Sequence, residues 1–420
     1  MCPMESLRFL SADEVRSLAA EFGTPFYVYN EATLRQRAAE LLAFPNAFGL
    51  TARYAMKALP TAAVIQTFAD AGLNIDASSG YEAERAMRAG VAPDRIQITA
   101  QELPRNLKSL IERGCLFNAC SMNQLRAYGE LFPGAEVSVR INPGLGSGHS
   151  NRTNVGGPSS SFGIWHEHLD EVKAIAAAHD VRITGMHTHI GSGSDPDTWA
   201  HCAGLSLGIV EHLPEVTRLS LGGGFKVGRM TGEISADLQV IGARVKQDFE
   251  AFAQTHGRKL HLEVEPGTYL VANAGALICT IMDIVDTGSE GNTFLKIDAG
   301  MTEIVRPAMY GAQHPIIVVP KDEGERGHGQ YLISGHCCES GDILTPEPGN
   351  PEGLLARELT EAQLGDYLVI EGAGAYCAGM ASKNYNSFPE CAETLRDLNG
   401  KTRLIRKRQE PEQVWVNEIV

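Results

Sequence analysis

The stretch ITGMHTHIGSG, residues 183–193, has the pattern that decides the fold of this 420-residue chain. An apolar β-like run ends in polar residues and glycines, and a segment with helical spacing of apolar residues, 166–179, comes before it. The pattern recurs, with eight β-like runs at 52–56, 73–76, 95–99, 117–120, 137–141, 183–190, 217–221 and 260–265. Alternating strands and helices predict parallel strands, and eight units in about 210 residues predict a (β/α)8 barrel of the TIM type. An open doubly wound sheet is the alternative interpretation.

The pattern changes after residue 275. Short β-like runs separated by Gly, Pro, Asp and Glu clusters predict a second, mostly β domain, a sandwich or a small barrel. These runs lie at 277–285, 294–297, 316–319, 330–333, 367–370, 403–407 and 414–416. Near the start, residues 12–22 have helical spacing with Ser11 as a cap, and 26–29 are strand-like. We therefore predict a barrel domain at 31–275 and a second domain made of 1–30 and 276–420.

The composition argues against several kinds of partner. Lys and Arg number 36 and Asp and Glu number 51, which gives a net charge of −15. Nonspecific binding to nucleic acid or to anionic membranes needs a basic surface. No apolar run reaches the ~18 residues of a membrane span, and residues 1–5 do not resemble the start of a signal peptide. The nine scattered cysteines indicate reduced thiols, so we expect a cytoplasmic protein.

Polar residues end most of the predicted strands, which is where a barrel builds its active site. They are Lys57, Asp76, Arg140, His187, His189, Gly222, Gly223, Gly224 and Glu265. Each has an ordinary explanation by itself: a solvated lysine, a helix cap, a core histidine or a flexible turn. Their occurrence on one rim predicts a catalytic site.

These residue types together indicate pyridoxal phosphate. A glycine loop with exposed N–H groups suits a phosphate, and Ser192 adds a hydroxyl donor. A lysine in a barrel mouth forms Schiff bases, a carboxylate keeps a pyridine nitrogen protonated, and an imidazole can lie on a flat ring. His187 and His189 could face one side of a strand as a metal pair, but no third ligand is evident, so we expect no metal.

Seven motifs carry a resemblance to a known family. They are YAMKA at 54–58, DASSGYE at 76–82, GMHTHIGS at 185–192, LGGGF at 221–225, EPG at 265–267, CESGD at 338–342, and GAY at 374–376 with Met380 and NYN at 384–386. Over about residues 24–389 the chain resembles the diaminopimelate decarboxylase-like family of barrel-type pyridoxal-phosphate amino-acid decarboxylases. The resemblance implies decarboxylation of a diamino acid, meso-diaminopimelate to L-lysine first of all. It also implies a head-to-tail homodimer with shared active sites.

The resemblance implies a role for each site residue as well. Lys57 forms the Schiff base, His189 stacks on the cofactor ring, and Glu265 holds the ring nitrogen. Cys338 and Glu339 come from the partner subunit, with Cys338 as the proton donor. The residues expected at the cofactor are Lys57, Asp76, Arg140, His189, Ser192, Gly222, Gly223, Gly224, Glu265, Gly267 and Tyr376. The residues expected at the substrate are Arg306, Tyr310, Glu339, Tyr376 and Arg152.

The chain departs from the family pattern at Thr268, because the family has Arg after Glu-Pro-Gly. Threonine lacks the charged fork with which Arg binds a carboxylate. Either another cation such as Arg152 compensates, or the substrate is a related amino acid. Such a substrate would be lysine- or ornithine-like, carboxynorspermidine-like or a secondary-metabolite precursor. Arg306 and Tyr310 favour a substrate with an anionic tail.

Three other functions stay open. An amino-acid racemase on the same barrel carries a tyrosine base and typically Arg at the ring nitrogen, whereas this chain has Glu265 and Cys338. A non-catalytic cofactor-binding protein would consist of the barrel alone. A lyase without the cofactor would use Lys57 directly on a sugar or keto acid. We interpret Cys337, next to Cys338, as incidental.

Overall fold

The computed structural model describes residues 5–145, 156–189 and 195–420. The chain forms two compact units. The barrel unit contains Arg35–Val227 and Ile234–Leu270, and the sheet unit contains Met1–Leu34, Gly228–Glu233 and Val271–Val420. The short segment Gly228–Glu233 therefore belongs to the sheet unit, although the chain on both sides of it belongs to the barrel unit.

The strands are numbered in chain order. They are β1 (Phe26–Asn30), β2 (Leu50–Ala55), β3 (Asn74–Ala77), β4 (Ile96–Ile98), β5 (Leu116–Ala119), β6 (Glu136–Asn142), β7 (Ile164–Trp165), β8 (Arg182–His187), β9 (Arg218–Ser220), β10 (His261–Val264), β11 (Gly275–Asp286), β12 (Thr293–Ile297), β13 (Ile316–Val319), β14 (His328–Ser334), β15 (Pro346–Glu347), β16 (Asn350–Leu354), β17 (Arg357–Thr360), β18 (Tyr367–Ile370), β19 (Ala392–Arg396) and β20 (Thr402–Arg406).

The helices are numbered in the same way. They are α1 (Ala12–Phe22), α2 (Glu31–Leu42), α3 (Ala62–Asp70), α4 (Gly80–Arg88), α5 (Leu107–Glu112), α6 (Met122–Leu131), α7 (Leu169–Ala178), α8 (Pro196–Glu211), α9 (Leu238–His256), α10 (Thr268–Val271), α11 (Arg306–Tyr310) and α12 (Glu412–Trp415). Short 3-10 turns lie at Met56–Ala58, Pro93–Arg95, His166–His168, Ala272–Ala274 and Tyr385–Ser387. Within the described ranges, no helix combines the length and apolar character needed to cross a membrane.

In the described part of the barrel unit, eight parallel strands close into a ring. The order is β5-β4-β3-β2-β10-β9-β8-β6, and β5 also pairs with β6. Each of the eight predicted runs overlaps one of these strands. The prediction of a (β/α)8 barrel is therefore confirmed, and the open doubly wound sheet is excluded because the ring has no edge.

The pairing register brings the polar strand ends to one end of the barrel. Asp76 lies opposite Ala55, two residues before Lys57, and His187 lies opposite Arg140. Because all eight strands are parallel, the residues that follow their carboxyl ends share one rim.

Side-chain caps explain why helices begin so soon after these strands. The side chains of Ser79 and Ser121 accept backbone N–H groups in the first turns of α4 and α6. β3 and β5 thus pass into these helices within three residues, which leaves short loops at this part of the rim.

In the sheet unit, nine of the described strands form one sheet. Its order is β17-β14-β12-β11-β1-β19-β20, and β18 pairs with both β11 and β13. β1 is antiparallel to β11 and parallel to β19, which ties the N-terminal segment into the sheet. Val15 and Leu18 of α1 join Phe26 and Ile278 in one buried cluster. The prediction of a second, mostly β domain is confirmed.

The strand prediction at 414–416 is wrong. α12 covers most of this run, after Pro411, and its residues are exposed or half-buried, so no sheet face is available to them. β15, β16, β17 and β19 lie outside the predicted runs, because polar residues interrupt their apolar pattern.

We expect Phe225→Ala to destabilise the barrel. The ring is 2% exposed and stacks on Trp199 at 4.3 Å, with Phe44 at 5.8 Å on another side. Its removal leaves a cavity that costs ~3–5 kcal/mol of the free energy of unfolding. Urea denaturation followed by circular dichroism measures the loss, with Tyr81→Ala as the control because Tyr81 is 77% exposed. A midpoint shift no larger than that of the control would contradict this prediction.

Candidate active site

Four charged side chains meet at the carboxyl ends of the barrel strands. Lys57 lies in the turn after β2, Asp76 in β3, Arg140 in β6 and Glu265 one residue after β10. Lys57 is exposed, whereas the three others are buried. Burial raises the pKa of Asp76, and the charges of Lys57, Arg53 and Arg140 oppose that rise. The predicted lysine and carboxylates are therefore close enough for their charges to interact.

Glu265 is the central carboxylate of this rim. Its Oε1 accepts hydrogen bonds from Gln97 Nε2 at 3.1 Å and from Ser220 Oγ at 2.9 Å. Its Oε2 lies 3.5 Å from His187 Nε2. Burial, and then the charge of Asp76, raise the pKa of Glu265 to about 8. Its contacts among the described residues are neutral, so without a nearby cation the carboxyl group keeps its proton up to about pH 8.

His187, which ends β8, and His189, two residues later, are neutral, and each has a fixed tautomer. Asn118 Nδ2 donates to His187 Nδ1 at 2.7 Å, so the proton of His187 is on Nε2, on the side of Glu265. The N–H of Gly223 donates to His189 Nδ1 at 3.0 Å. Burial, and then the charge of Arg140, hold the pKa of each ring well below its usual range. Of the described residues, no group of three or more His, Cys, Asp or Glu is arranged to hold a metal ion.

The glycine loop after β9 needs glycine because of close contacts. Gly222 has φ +69°, and a Cβ there would lie 2.4 Å from His189 Nδ1. A Cβ on Gly223 would lie 2.5 Å from the carbonyl oxygen of Glu265. The N–H of Gly222 donates to Ser220 and that of Gly223 to His189. Two of the three predicted phosphate donors therefore bond to side chains of the protein, and no bond of the Gly224 amide to a described residue is seen.

Gly267 packs the Glu-Pro-Gly turn against the lysine turn. A Cβ at this position would lie 3.0 Å from Ala58 Cβ and 3.1 Å from the carbonyl oxygen of Ala55. The N–H of Ala55 donates to the carbonyl of Pro266 at 3.2 Å. Any side chain at Gly267 would push this turn away from the backbone that carries Lys57.

The predicted proton donor lies in the sheet unit, in a loop that is fastened from two sides. The Asp342 carboxylate accepts the N–H of Met301 at 2.7 Å and of Cys337 at 2.9 Å. The N–H of Cys338 donates to Asn386 Oδ1 at 2.8 Å. Among the described cysteines only Cys338 is exposed, and burial raises the pKa of Cys337 to about 12. The fold therefore keeps one accessible thiol in a defined backbone position.

Asn386 was part of a quoted motif, but sequence reasoning gave it no role. It has φ +51°, and its neighbours Asn384 and Ser387 have φ +59° and +63°. Left-handed backbone at three nearly consecutive non-glycine residues is uncommon and is often found at functional sites. The turn aims the Asn386 amide oxygen at the backbone of Cys338.

Arg306 begins α11, and a histidine holds its guanidinium. Arg306 Nη1 donates to His314 Nε2 at 2.7 Å, and His314 Nδ1 donates to the carbonyl of Glu371 at 3.1 Å. Tyr310 ends the same helix and is half-buried. The sequence predicted Arg306 and Tyr310 together, whereas His314 was missed because it belongs to no motif.

The remaining predicted residues fall into three groups. Tyr376 and Glu339 lie in the sheet unit, and Tyr376 has φ +56°, a strained value for an aromatic residue. Thr268 is half-buried at the start of α10. Ser192 and Arg152 lie outside the described residues.

The chain is similar to known proteins both in sequence and in structure. Residues 34–272 match the model of the family described as pyridoxal-dependent decarboxylase, pyridoxal binding domain. Diaminopimelate decarboxylase of Escherichia coli K12 is 36% identical over 98% of this chain and 97% of its own length. A crystal structure of a diaminopimelate decarboxylase superposes with a TM-score of 0.91 at 34% identity, covering 99% of this chain and 98% of that one. The enzyme of M. jannaschii in complex with L-lysine gives a TM-score of 0.86 at 26% identity, covering 100% and 99%.

The chain therefore belongs to the pyridoxal-dependent decarboxylases and, among them, to the diaminopimelate decarboxylase family. It is a carboxy-lyase whose cofactor is pyridoxal phosphate. The barrel residues fit that group. Lys57 is an exposed lysine, Gly224 lies in a turn where its neighbours tolerate no side chain, and Glu265 is a buried carboxyl group with no cation in contact among the described residues.

We expect Glu265→Gln to change the pH dependence of stability in the cofactor-free protein. The pKa of Glu265 is raised to about 8 from an ordinary value of 4.5, so the folded chain holds a proton that the unfolded chain has lost in this pH range. This stabilising contribution is present below pH ~4.5 and is lost as the pH rises through ~8. The variant does not titrate there, so its melting temperature should exceed that of the wild type at pH 8 but not at pH 5.

Thermal unfolding of both cofactor-free proteins at the two pH values provides the measurement. Glu21→Gln is the matched control, because it removes an exposed carboxylate. A difference between the Glu265 variant and the wild type that is equal at pH 5 and pH 8 would show that this carboxyl does not titrate as described.

Proposed function

We propose that this chain decarboxylates meso-diaminopimelate to L-lysine, with pyridoxal phosphate as cofactor and as a homodimer. The observation that carries the proposal is the convergence of Lys57, His189 and Glu265 on one barrel rim. The near full-length similarity to diaminopimelate decarboxylases supports this substrate. The M. jannaschii relative was crystallised with L-lysine, the product that the proposed reaction releases.

The barrel residues hold the cofactor and set its charge. When bound, pyridoxal phosphate supplies a sink for the electron pair that loss of CO2 leaves on the α-carbon. Lys57 would hold the cofactor through its Nζ, and its exposure would let a substrate reach it. Glu265 would be anionic beside a protonated ring nitrogen, because an opposite charge offsets the effect of burial on its pKa. His189, which the Gly223 N–H fixes, would lie against the ring.

Further residues complete the proposed cofactor site. They are Asp76, Arg140, Ser192, Gly222, Gly223, Gly224, Gly267 and Tyr376. Gly222, Gly223 and Gly267 act through shape, since a side chain at any of them would collide with the backbone or side chains of the site. Gly224 contributes its amide to the phosphate.

The proposed proton donor is Cys338 of a partner subunit, with Glu339 beside it. After CO2 leaves, the S–H bond of Cys338 gives its proton to the α-carbon, and water returns a proton to the sulfur. The thiol is exposed on its own chain, and its loop is fastened by Asp342 and Asn386. A head-to-tail dimer would use this exposed, fixed thiol in the partner's site.

The proposed substrate contacts are Arg306, Tyr310, Glu339, Tyr376 and Arg152. Arg306 is a cation held in one orientation by His314, which suits the distal carboxylate of a diamino dicarboxylic acid. One alternative remains for a specific reason: Thr268, in place of the family Arg, would also suit decarboxylation of a related amino acid.

We further infer that 31–275 and 1–30 with 276–420 are the two domains, and that the enzyme acts in the cytoplasm.

Lys57→Ala tests the cofactor assignment. We expect the purified wild type to absorb near ~420 nm after addition of pyridoxal phosphate and to release CO2 from meso-diaminopimelate. The variant should lose the absorbance band and the activity, because no other amine is proposed at the rim. Lys108→Ala, at a 64% exposed side chain on α5, is the control and should retain both. A variant that keeps the band would refute the role of Lys57.

Hybrid dimers test whether the active site is shared. Lys57→Ala and Cys338→Ala chains are each expected to be nearly inactive. Random assortment of equal amounts makes half of the dimers hybrid, and each hybrid regains one intact site if the two residues come from different subunits. The mixture should then recover about a quarter of the wild-type activity. No recovery, with hybrid formation verified by differential tags, would mean that one chain supplies both residues.

A further inference from the structure

Arg229 has a position that the barrel chemistry does not explain. It lies in Gly228–Glu233, the segment that groups with the sheet unit. Its side chain is buried, with 8% of the residue exposed, and its Nε donates to the carbonyl of Gly372 at 3.0 Å. Its Nη2 is buried without a hydrogen-bond partner among the described residues. A guanidinium in this state keeps donors that a ligand could satisfy.

Arg229 and Arg306 are held on adjacent backbone carbonyls. Arg229 bonds the carbonyl of Gly372 directly, and Arg306 reaches the carbonyl of Glu371 through His314. Gly372 has φ +65°, and a Cβ there would lie 3.1 Å from Arg229 Cγ. The same two residues of backbone thus fix both cations.

Neither of these two arginines contacts a carboxylate among the described residues through its side chain, although the charge of Glu233 acts on Arg229. Burial, and then repulsion from Arg306, lower the pKa of Arg229 to about 9. Burial and both guanidiniums also lower the pKa of His314, so this ring adds no charge. Glu371 accepts the N–H of Arg8 at 3.0 Å, and burial raises its pKa to about 7. Within the described ranges neither Arg229 nor Arg306 forms an ion pair, and a bound anion would relieve the repulsion between them.

We propose that Arg229 is a second carboxylate-binding residue that acts together with Arg306 on the distal carboxylate of the substrate. This proposal rests on the proposed function and deepens it. Two guanidiniums that are fixed on neighbouring carbonyls can each bind one oxygen of a carboxylate. A neutral side chain beside Arg306 would not supply this second charge. Arg229 is therefore a specificity-determining residue: it favours substrates and products that carry this carboxylate over diamines that lack it.

Binding of L-lysine and cadaverine to the holoenzyme tests the proposal. The two ligands have the same chain and amines, and only L-lysine has the carboxylate. Arg229→Gln keeps a donor for the Gly372 carbonyl and removes the charge. By calorimetry, we expect this variant to weaken L-lysine about 10- to 100-fold and to leave cadaverine within about twofold. Equal weakening of both ligands, or of neither, overturns the proposal.

Two further variants keep the test decisive. Arg8→Gln is the matched control, because Arg8 is an exposed arginine of the same cluster that bonds Asn273 and the carbonyl of Arg229; its L-lysine affinity should stay within about twofold. If Arg229→Gln does not fold, Arg229→Lys keeps the charge but loses the fork, and it should weaken L-lysine less than about tenfold without affecting cadaverine. Weakening of cadaverine by the same factor overturns the proposal.

Failure of the proposed function and failure of the role of Arg229 would give different results. A wild-type holoenzyme that releases no CO2 from meso-diaminopimelate and does not prefer L-lysine to cadaverine contradicts the proposed function. A wild type that shows both properties, with the preference unchanged in Arg229→Gln, contradicts the role of Arg229 alone.

Discussion

The buried carboxylate of Glu265 is the constraint on which the barrel site depends. An anion at this depth is costly unless donors and a cation surround it, and the described donors in contact with it, from Gln97 and Ser220, are neutral. The backbone of the same residue is bonded to the glycine loop, since its N–H donates to the carbonyl of Gly222 at 2.8 Å. The Gly223 amide in turn fixes the ring of His189. Carboxylate, glycine loop and imidazole are therefore joined by hydrogen bonds into one set, and in the proposed function a protonated pyridine supplies the cation that this set needs.

The sheet unit fixes the backbone of the loop that carries the exposed thiol of Cys338. A cysteine at a surface loop is ordinarily mobile, but here Asp342 accepts two backbone N–H groups and Asn386 a third. The cost is a left-handed backbone at Asn386 and its neighbours, a conformation that persists only where the surrounding contacts determine it. Such strain at this loop supports the proposal that the thiol meets a reacting carbon at a defined distance.

The barrel could be predicted from sequence because its mostly buried strands recur eight times in alternation with segments of helical spacing. β15, β16, β17 and β19 could not, since their polar residues hide the alternation. At the site, Lys57 and Glu265 stand at strand ends inside recognisable motifs, whereas Gln97 and Ser220 lie within strands where a polar residue carries no signal. Their role appears only when the ring closes and β4 and β9 face the end of β10. Arg229 was missed for a related reason: its bonded partner, Gly372, is 143 residues away.

Charge recognition depends on where a guanidinium lies in space, not on which position of the chain supplies it. A carboxylate needs charged donors at hydrogen-bonding distance, and any backbone that delivers them will serve. Thr268 stands where the family pattern has an arginine, yet Arg306 remains, and Arg229 adds a cation that has no ion pair among the described residues and bonds the neighbouring carbonyl. The net charge of −15 does not oppose this, because nearby charges fixed in a buried site outweigh screened charges on the surface. If Arg229 binds the carboxylate as proposed, the threonine at 268 is therefore a weak argument for a different substrate.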